Sequence, residues 1–316
     1  MQQNIKFSVT VPAYKAQFLK ECIDSILVQT YQNFELIIVN DASPQDLDSI
    51  VSKYDDSRIR YYKNKVGFGA EHVVGNWNKC LEYATGDYII CMGDDDKLLP
   101  CCLEEYVKLI EKYPGLGVYH GWTEVIDEDG VITNIFPPLP EWESVYSLIY
   151  SRLYGRAEFI GDCLFDVELL RGHGGFYYLD YAWGSDNISV FRAAEKDGIA
   201  HTQVPVFQYR SNSQSISSSS HNREKMKTVI SQFEWIKRFI ANKKTSAGEL
   251  DNTLKKQILK QLEFVFQKEV KYYMITDMKS SNLIISVAYW YRLRNIYKYT
   301  VRTIIKNTLK SLYYKI

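Results

Sequence analysis

The sequence predicts an α/β fold, a parallel sheet covered by helices on both faces, followed by a helical extension at the C-terminus. Three observations carry that expectation. Strand-like and helix-like patterns alternate through residues 1–113. The pattern Phe34–Asn40 is apolar almost throughout, as a parallel strand buried on both faces requires. From residue 222 onward nearly every stretch is helical in character.

Taken in order, residues 5–11 read as a strand. Residues 16–29 read as a helix, with Leu19, Ile23, Ile26 and Leu27 at helical spacing. Phe34–Asn40 is the second strand. Residues 44–54 are expected to be helical, with Leu47, Ile50 and Val51 on one face. Residues 59–62 form a short strand, 71–84 a helix, 87–92 a fourth strand and 100–113 another helix. Strands alternating with helices imply right-handed βαβ units. Beyond them, 117–122 and 131–134 suggest a hairpin around Asp127-Glu128-Asp129-Gly130. Residues 141–153 read as helical, and Gly172, Gly174 and Gly175 mark a loop. Residues 187–196 form a helix and 204–209 a late strand. The serine-rich run 211–220 has no periodicity and is expected to be a mobile loop or linker. Two helices follow, over 226–240 and 250–278, joined by a polar turn near Gly248. From Leu293 an apolar stripe runs through Ile296, Tyr297, Val301, Ile304, Ile305, Leu309, Leu312 and Ile316. Arg294, Lys298, Arg302, Lys306 and Lys310 flank it every four residues.

The chain carries no net charge, so its bulk gives no signal for nucleic acid as a partner. That average hides an asymmetry: residues 278–316 hold eight Lys/Arg and no acidic residue. The six cysteines form no C-x-x-C pair and no Cys/His cluster with zinc spacing. They read as reduced thiols of a cytoplasmic protein. The first residues pass directly into a strand pattern, so no signal peptide is expected. No run approaches the ~20 apolar residues of a membrane span.

The chemistry concentrates in Asp94-Asp95-Asp96, which ends the apolar run Tyr88-Ile89-Ile90-Cys91-Met92 and precedes Pro100. Three adjacent anions repel one another and call for a cation. Aspartate oxygens suit hard divalent ions such as Mg²⁺ or Mn²⁺. Asp41 also falls just past a strand end, where ligands gather in parallel sheets. No G-x-x-x-x-G-K-[ST] loop occurs, and Gly67-Phe68-Gly69 is followed by His72 where a dinucleotide fingerprint needs a third glycine. No G-x-S-x-G elbow is present. What survives is a nucleotide whose phosphates meet a metal rather than a glycine loop.

Val9-Thr10-Val11-Pro12-Ala13-Tyr14, Leu19-Lys20-Glu21-Cys22-Ile23-Asp24-Ser25-Ile26-Leu27-Val28-Gln29-Thr30 and Phe34-Glu35-Leu36-Ile37-Ile38-Val39-Asn40-Asp41-Ala42-Ser43 resemble the nucleotide-binding half of the family 2 glycosyltransferases. Gly75-Asn76-Trp77-Asn78 and Ala84-Thr85-Gly86-Asp87-Tyr88-Ile89 resemble the segment leading to that family's DXD-type metal motif, and Asp94-Asp95-Asp96 resembles the motif itself. The likeness spans residues 5–115 and, more loosely, 155–216. It implies a GT-A fold, a Rossmann-like mixed sheet with flanking helices. The expected organisation is a catalytic domain over 1–220, with a nucleotide-sugar half over 1–115 and an acceptor half over 116–220. A helical region with a basic amphipathic helix then occupies 221–316.

The resemblance also implies roles. Pro12 and Tyr14 would wall the base pocket, Asp41 would accept the uracil N3–H, and Asp94 would touch the ribose. Asp95 would ligate the metal, and Asp96 would ligate it through water or orient Lys97. Asn76 either contacts the nucleotide or is a plain helix residue, and Asp41 alternatively caps the helix after Pro44. Trp183-Gly184-Ser185-Asp186-Asn187 resembles the family's acidic pair at a helix start, with Ser185 replacing one acid. Asp186 is the expected general base, Asp180 and Asp162 the reserves, and Trp183 a platform for an acceptor sugar or a core residue. Tyr209-Arg210 resembles a family Tyr-Arg, so Arg210 either approaches the diphosphate or lies on the surface. The implied activity is inverting, metal-assisted transfer of a hexose or N-acetylhexosamine from a UDP-sugar to a saccharide or lipid-linked saccharide, in bacterial surface-glycan assembly. A sugar nucleotidyltransferase, or an interaction protein on a degenerate GT-A fold, are the rivals. The C-terminal stripe either lies on an anionic membrane surface or packs against protein, including a second copy of the chain.

Overall fold

The computed structural model describes residues 4–212, 222–242 and 248–313. Its packing divides the chain into two units, Met1–Ser213 and Gln214–Ile316.

The first unit is built on one mixed sheet. β1 (Phe7–Ala13), β2 (Phe34–Asn40), β3 (Ile59–Lys63) and β4 (Tyr88–Cys91) run parallel in the order β3-β2-β1-β4. Every residue of β2 is buried, as its continuous apolar run requires. The crossovers are α1 (Leu19–Leu27), α2 (Asp48–Val51) and α3 (Val73–Tyr83). α2 is a single turn rather than the helix expected over 44–54. Asp46 caps that turn through the Ser49 N–H, and only Leu47 and Val51 are buried.

Beyond β4 the sheet departs from the parallel pattern. β5 (Lys97–Leu98) is followed by α4 (Cys102–Lys112), then by the hairpin of β6 (Val118–Ile126) and β7 (Ile132–Ile135). β8 (Trp142–Glu143) precedes α5 (Val145–Leu153), so the helix expected from residue 141 starts only after a strand, where Ser144 caps it. β9 (Cys163–Asp166), α6 (Val167–Gly172), α7 (Ser185–Ala193) and β10 (Ile199–Arg210) complete the unit. β9 inserts antiparallel between β4 and β6, and β6 pairs parallel with β10. β5, which looks in sequence like a mere bridge, pairs antiparallel with Phe207 and Gln208 of β10. The acidic segment between β4 and β5 is thereby pinned at both ends to the sheet.

The second unit is helical: α8 (Asn222–Asn242), α9 (Glu249–Ser280), α10 (Leu283–Leu293) and α11 (Val301–Tyr313). Trp290 is fully buried and donates its indole N–H to Asp277, which also accepts from Arg223. The single stripe expected from Leu293 onward is not one helix. The chain turns between α10 and α11, Lys298 takes a positive φ of 55°, and Tyr297 and Tyr299 pack on Trp290. Along α11 the face of Ile304, Asn307 and Ser311 is buried, while Val301, Ile305, Leu309 and Leu312 face outward beside exposed Arg302, Lys306 and Lys310. The serine-rich stretch beyond Asn212, and Ile316 of the stripe, lie outside the described residues. Among the described residues no helix is long and apolar enough to cross a membrane.

Candidate functional site

The carboxyl ends of β1, β2 and β4 meet at one sheet edge. The Asp41 N–H donates to the Ala13 carbonyl, joining β2 to the end of β1. The chain then turns outward at Tyr14 and Lys15. Both of their backbone N–H groups donate to Asp94 Oδ2, each at 2.6 Å. The Lys15 ammonium contacts Asp95 Oδ2 and lies 3.6 Å from Asp94 Oδ1. Burial alone would lower its pKa, but the three neighbouring carboxylates raise it. Part of the cation that the acidic run calls for is therefore Lys15, which the sequence reading passed over.

Arg210 supplies the rest from below. Its side chain is fully buried and its guanidinium stacks 4.2 Å over the Phe18 ring. Nε donates to the Asp95 carbonyl at 2.8 Å, Nη1 to the Asp127 and Glu128 carbonyls, and Nη2 to Glu21. Its backbone N–H donates to Asp96 Oδ1 at 2.9 Å. Arg210 is thus neither a surface residue nor free to meet a diphosphate; it staples the acidic turn to the end of β10. Lys97 faces Glu21 at 3.9 Å rather than Asp96.

Asp94 and Asp96 are buried, and burial raises both carboxyl pKa values, Asp94 to about 6. Asp95 Oδ2 accepts from Asn212 at 2.7 Å. The other oxygens, Asp95 Oδ1 and Asp96 Oδ2, close over Gly93. They stand 2.7 and 2.9 Å from where a Cβ would be, so only glycine lets both carboxylates approach. Among the described residues no three His, Cys, Asp or Glu side chains are grouped to hold a metal. Two converging carboxylates fit a hard divalent ion that takes its remaining ligands from phosphate and water, as Mg²⁺ commonly does.

The expected base pocket is more occupied than its motif implies. Pro12 is half-buried and the Tyr14 ring stands exposed at the rim. Asp41 is buried and accepts from the N–H groups of Phe68 and Gly69 and from Asn64 Nδ2, at 2.9–3.0 Å. A Cβ on Gly67 would meet the Asp41 carbonyl at 2.4 Å, so the glycine permits that closure. Asn76 is 1% exposed; it donates to the Val39 carbonyl and accepts from Asn64. It braces Asn64 and Asp41 rather than facing a ligand, and Asp41 holds this loop instead of capping α2.

Asp186 sits half-buried in the first turn of α7. The preceding chain is sharply bent, with Tyr181, Ala182 and Gly184 at φ of 58°, 55° and 91°. Non-glycine residues held there usually mark a site where packing enforces the geometry. Burial raises the Asp186 pKa above its ordinary value, Arg152 opposes that, and the Asp162 charge adds to it. Arg152 donates to Asn187, the residue after Asp186, at 2.6 Å. Asp162 is buried and accepts from Thr123 and from the Phe159 N–H. Asp180 accepts from Tyr178 at 3.2 Å, away from this group, and Trp183 is half-buried beside the bend.

Residues 8–163 match the model of the family described as "Glycosyl transferase family 2". This segment is a glycosyltransferase family 2 domain. It is 36% identical over 146 residues to "Putative glycosyltransferase EpsE" of Bacillus subtilis, covering 45% of this chain and 51% of that one. It is 30% identical over 132 residues to "UDP-Glc:alpha-D-GlcNAc-diphosphoundecaprenol beta-1,3-glucosyltransferase WfgD" of Escherichia coli, covering 42% and 51%. The chain thus spans about half the length of these curated relatives. The crystal structure of S. aureus TarS residues 1–349 in complex with UDP-GlcNAc superposes with a TM-score of 0.64 at 14% identity, over 97% of this chain and 90% of that one. The family 2 domain has the GT-A fold.

The staple makes a direct prediction. Arg210→Ala leaves Glu21 and the Asp95, Asp127 and Glu128 carbonyls without their side-chain donor, so unfolding in urea should show a loss of about 3 kcal/mol or more. Arg210→Lys, with one point charge in place of a fork, should recover only a minor part of it.

Proposed function

We propose that the chain is an inverting glycosyltransferase that moves a hexose or N-acetylhexosamine from a UDP-sugar to a saccharide hydroxyl, in bacterial surface-polysaccharide or glycoconjugate synthesis. The observation that carries this reading is the acidic turn at the carboxyl end of β4, bound by Lys15 and Arg210, in a chain that also presents a half-buried carboxylate at the start of α7. TarS was crystallised with UDP-GlcNAc, and the name of WfgD gives a UDP-glucose donor and a lipid-linked acceptor; both support a UDP-sugar and a saccharide acceptor here.

In this reading Pro12 and Tyr14 wall the uracil, and Asp41, fixed by Asn64 and Asn76, offers a remaining lone pair to its N3–H. Asp94 holds the Tyr14–Lys15 backbone in place and borders the ribose. Lys15 lies where negative charge grows on the departing diphosphate. Asp95 and Asp96 would hold Mn²⁺ or Mg²⁺, whose contribution when bound is positive charge against the same diphosphate. Asp186 takes the proton of the attacking hydroxyl. One direct displacement inverts the anomeric configuration.

A nucleotidyltransferase would use carboxylates and a metal too, but it would consume a nucleoside triphosphate. A non-catalytic protein would turn nothing over. The discriminating assay is release of UDP from UDP-sugars with Mn²⁺ present. We expect slow release without acceptor. Asp186→Asn should keep UDP binding and abolish transfer; retained transfer would move the base to Asp162 or Asp180. Because burial raises the Asp186 pKa and only its ionised form accepts a proton, the acid limb of kcat should lie above the ordinary aspartate value of 3.8.

The outward row of α11 supports a place on the inner face of the cell membrane, near lipid-linked acceptors. Val301, Ile305, Leu309 and Leu312 match an interfacial helix, and Arg302, Lys306 and Lys310 match anionic head groups. Each cation near such a surface contributes about 1 kcal/mol. Replacing the three with Gln should therefore weaken binding to phosphatidylglycerol vesicles on the order of a hundredfold in flotation assays. Binding to neutral vesicles alone, or a concentration-dependent dimer lost on changing Ile305 and Leu309 to Asp, would assign the row to protein contact.

A further inference from the structure

A cavity with an aromatic lining lies in the acceptor half of the first unit, apart from the acidic turn. It measures about 420 Å³, within the range of about 300–1,000 Å³ typical of small-molecule sites. Trp122, Phe136, Tyr150 and Tyr154 supply rings to its walls, and His120, Thr123, Asp162, Ser151 and Arg156 are its polar lining residues.

The polar side is built rather than incidental. His120 and Asp162 are 4% and 1% exposed. The Thr123 hydroxyl fixes Asp162 Oδ2 at 2.7 Å, and the Phe159 N–H fixes Oδ1 at 3.1 Å. His120 Nδ1 meets His201 Nδ1 at 3.1 Å, and His201 Nε2 lies 3.1 Å from Glu143. Arg156 pairs with Glu143 in turn. This chain holds the His120 ring from behind, and its buried Nε2 makes no hydrogen bond, having only a longer contact of 3.5 Å to Asp162 Oδ2. A buried ring nitrogen in that state is costly unless something in the cavity completes it.

Position adds a second line of argument. Tyr150 and Ser151 on the cavity wall belong to α5, and the next residue, Arg152, is bonded to Asn187 beside Asp186. The wall of the cavity is therefore tied to the start of α7. Flat aromatic faces beside a few fixed acceptors and donors suit a ring that is apolar on its C–H face and rich in hydroxyls at its edge. That description fits a pyranose better than a bare anion: the lining Arg156 is already paired with Glu143, and Asp162 in the wall repels negative charge.

We propose that this cavity binds a pyranose ring of the saccharide acceptor, stacked on Tyr150 and Tyr154, with its hydroxyls on His120 Nε2 and Asp162. The proposal rests on the transferase reading and adds to it the chemistry of the acceptor side. Tyr150 and Tyr154 lie 4.7 Å apart between ring centroids, and Tyr154 is 58% exposed at the mouth, so the pair forms the open edge of the site.

The test is saturation-transfer difference NMR on the full chain with two probes, methyl β-D-glucopyranoside and the methyl glycoside of N-acetylglucosamine. UDP binding is measured on the same samples by calorimetry. The proposal expects saturation of the ring C–H protons of at least one glycoside. It expects binding about tenfold weaker in Tyr150→Ala, recovery in Tyr150→Phe, and unchanged UDP affinity in both. His120→Gln should weaken the glycoside without moving UDP. Absence of ring saturation in a protein that binds UDP, or equal saturation in Tyr150→Ala, overturns the cavity proposal. Glycoside binding that follows this pattern in a protein that never binds UDP would instead leave the cavity standing and remove the donor reading.

Discussion

One buried guanidinium holds the acidic turn in place. Consecutive carboxylates at a strand end repel one another, and water is nearly excluded around Asp94 and Asp96. In such surroundings charge repulsion is weakly screened and an unpaired anion is expensive. Arg210 answers from beneath, spending its side-chain donors on the Asp95 carbonyl, two carbonyls of the β6–β7 hairpin and Glu21. Lys15 answers from the side with a single ammonium. The turn is consequently a fixed anionic surface, and its geometry depends on an arginine more than a hundred residues away in sequence.

Sheet topology explains how those residues meet. β5 pairs with Phe207 and Gln208, so the chain leaving the acidic turn lies beside the strand that ends at Arg210. β1 runs next to β4, so Tyr14 and Lys15 emerge beside Asp94. The antiparallel insertion of β9 brings Asp162 under the acceptor half, where it shares a neighbourhood with His120 and Asp186. A single mixed sheet thereby serves two chemical regions, a cation-bearing edge and an aromatic cavity.

Much of the nucleotide half was legible because its signals are local. A wholly buried strand reads as an apolar run, and three adjacent aspartates are visible without any fold. The longer crossover helices α1, α3 and α4 declared themselves through apolar spacing. The misses have physical causes. β5 has two residues and β9 four, too short for an alternating pattern, and both owe their existence to partners far along the chain. The broken C-terminal stripe has a similar origin: Tyr297 and Tyr299 fit helical spacing, but Trp290 recruits them into a turn. Arg210 carried a family likeness yet gave no sign of burial, since an isolated arginine reads as surface. Lys15 sat one residue past a motif and was passed over. The relay from Glu143 through His201 to His120 left no local trace at all, because its members come from three separate strands.

Two descriptions of the acidic turn remain distinct in their consequences. If Asp95 and Asp96 await a divalent ion, Lys15 is an auxiliary charge. If Lys15 is itself the counter-ion of the diphosphate, no metal is required. Calorimetric titration of UDP into the protein, with and without Mn²⁺ and again with Asp95→Ala, separates them. The account predicts binding that depends on Mn²⁺ and is lost in the variant. Equal affinity without the metal, or an Asp95→Ala protein that binds as tightly as the parent, would contradict it.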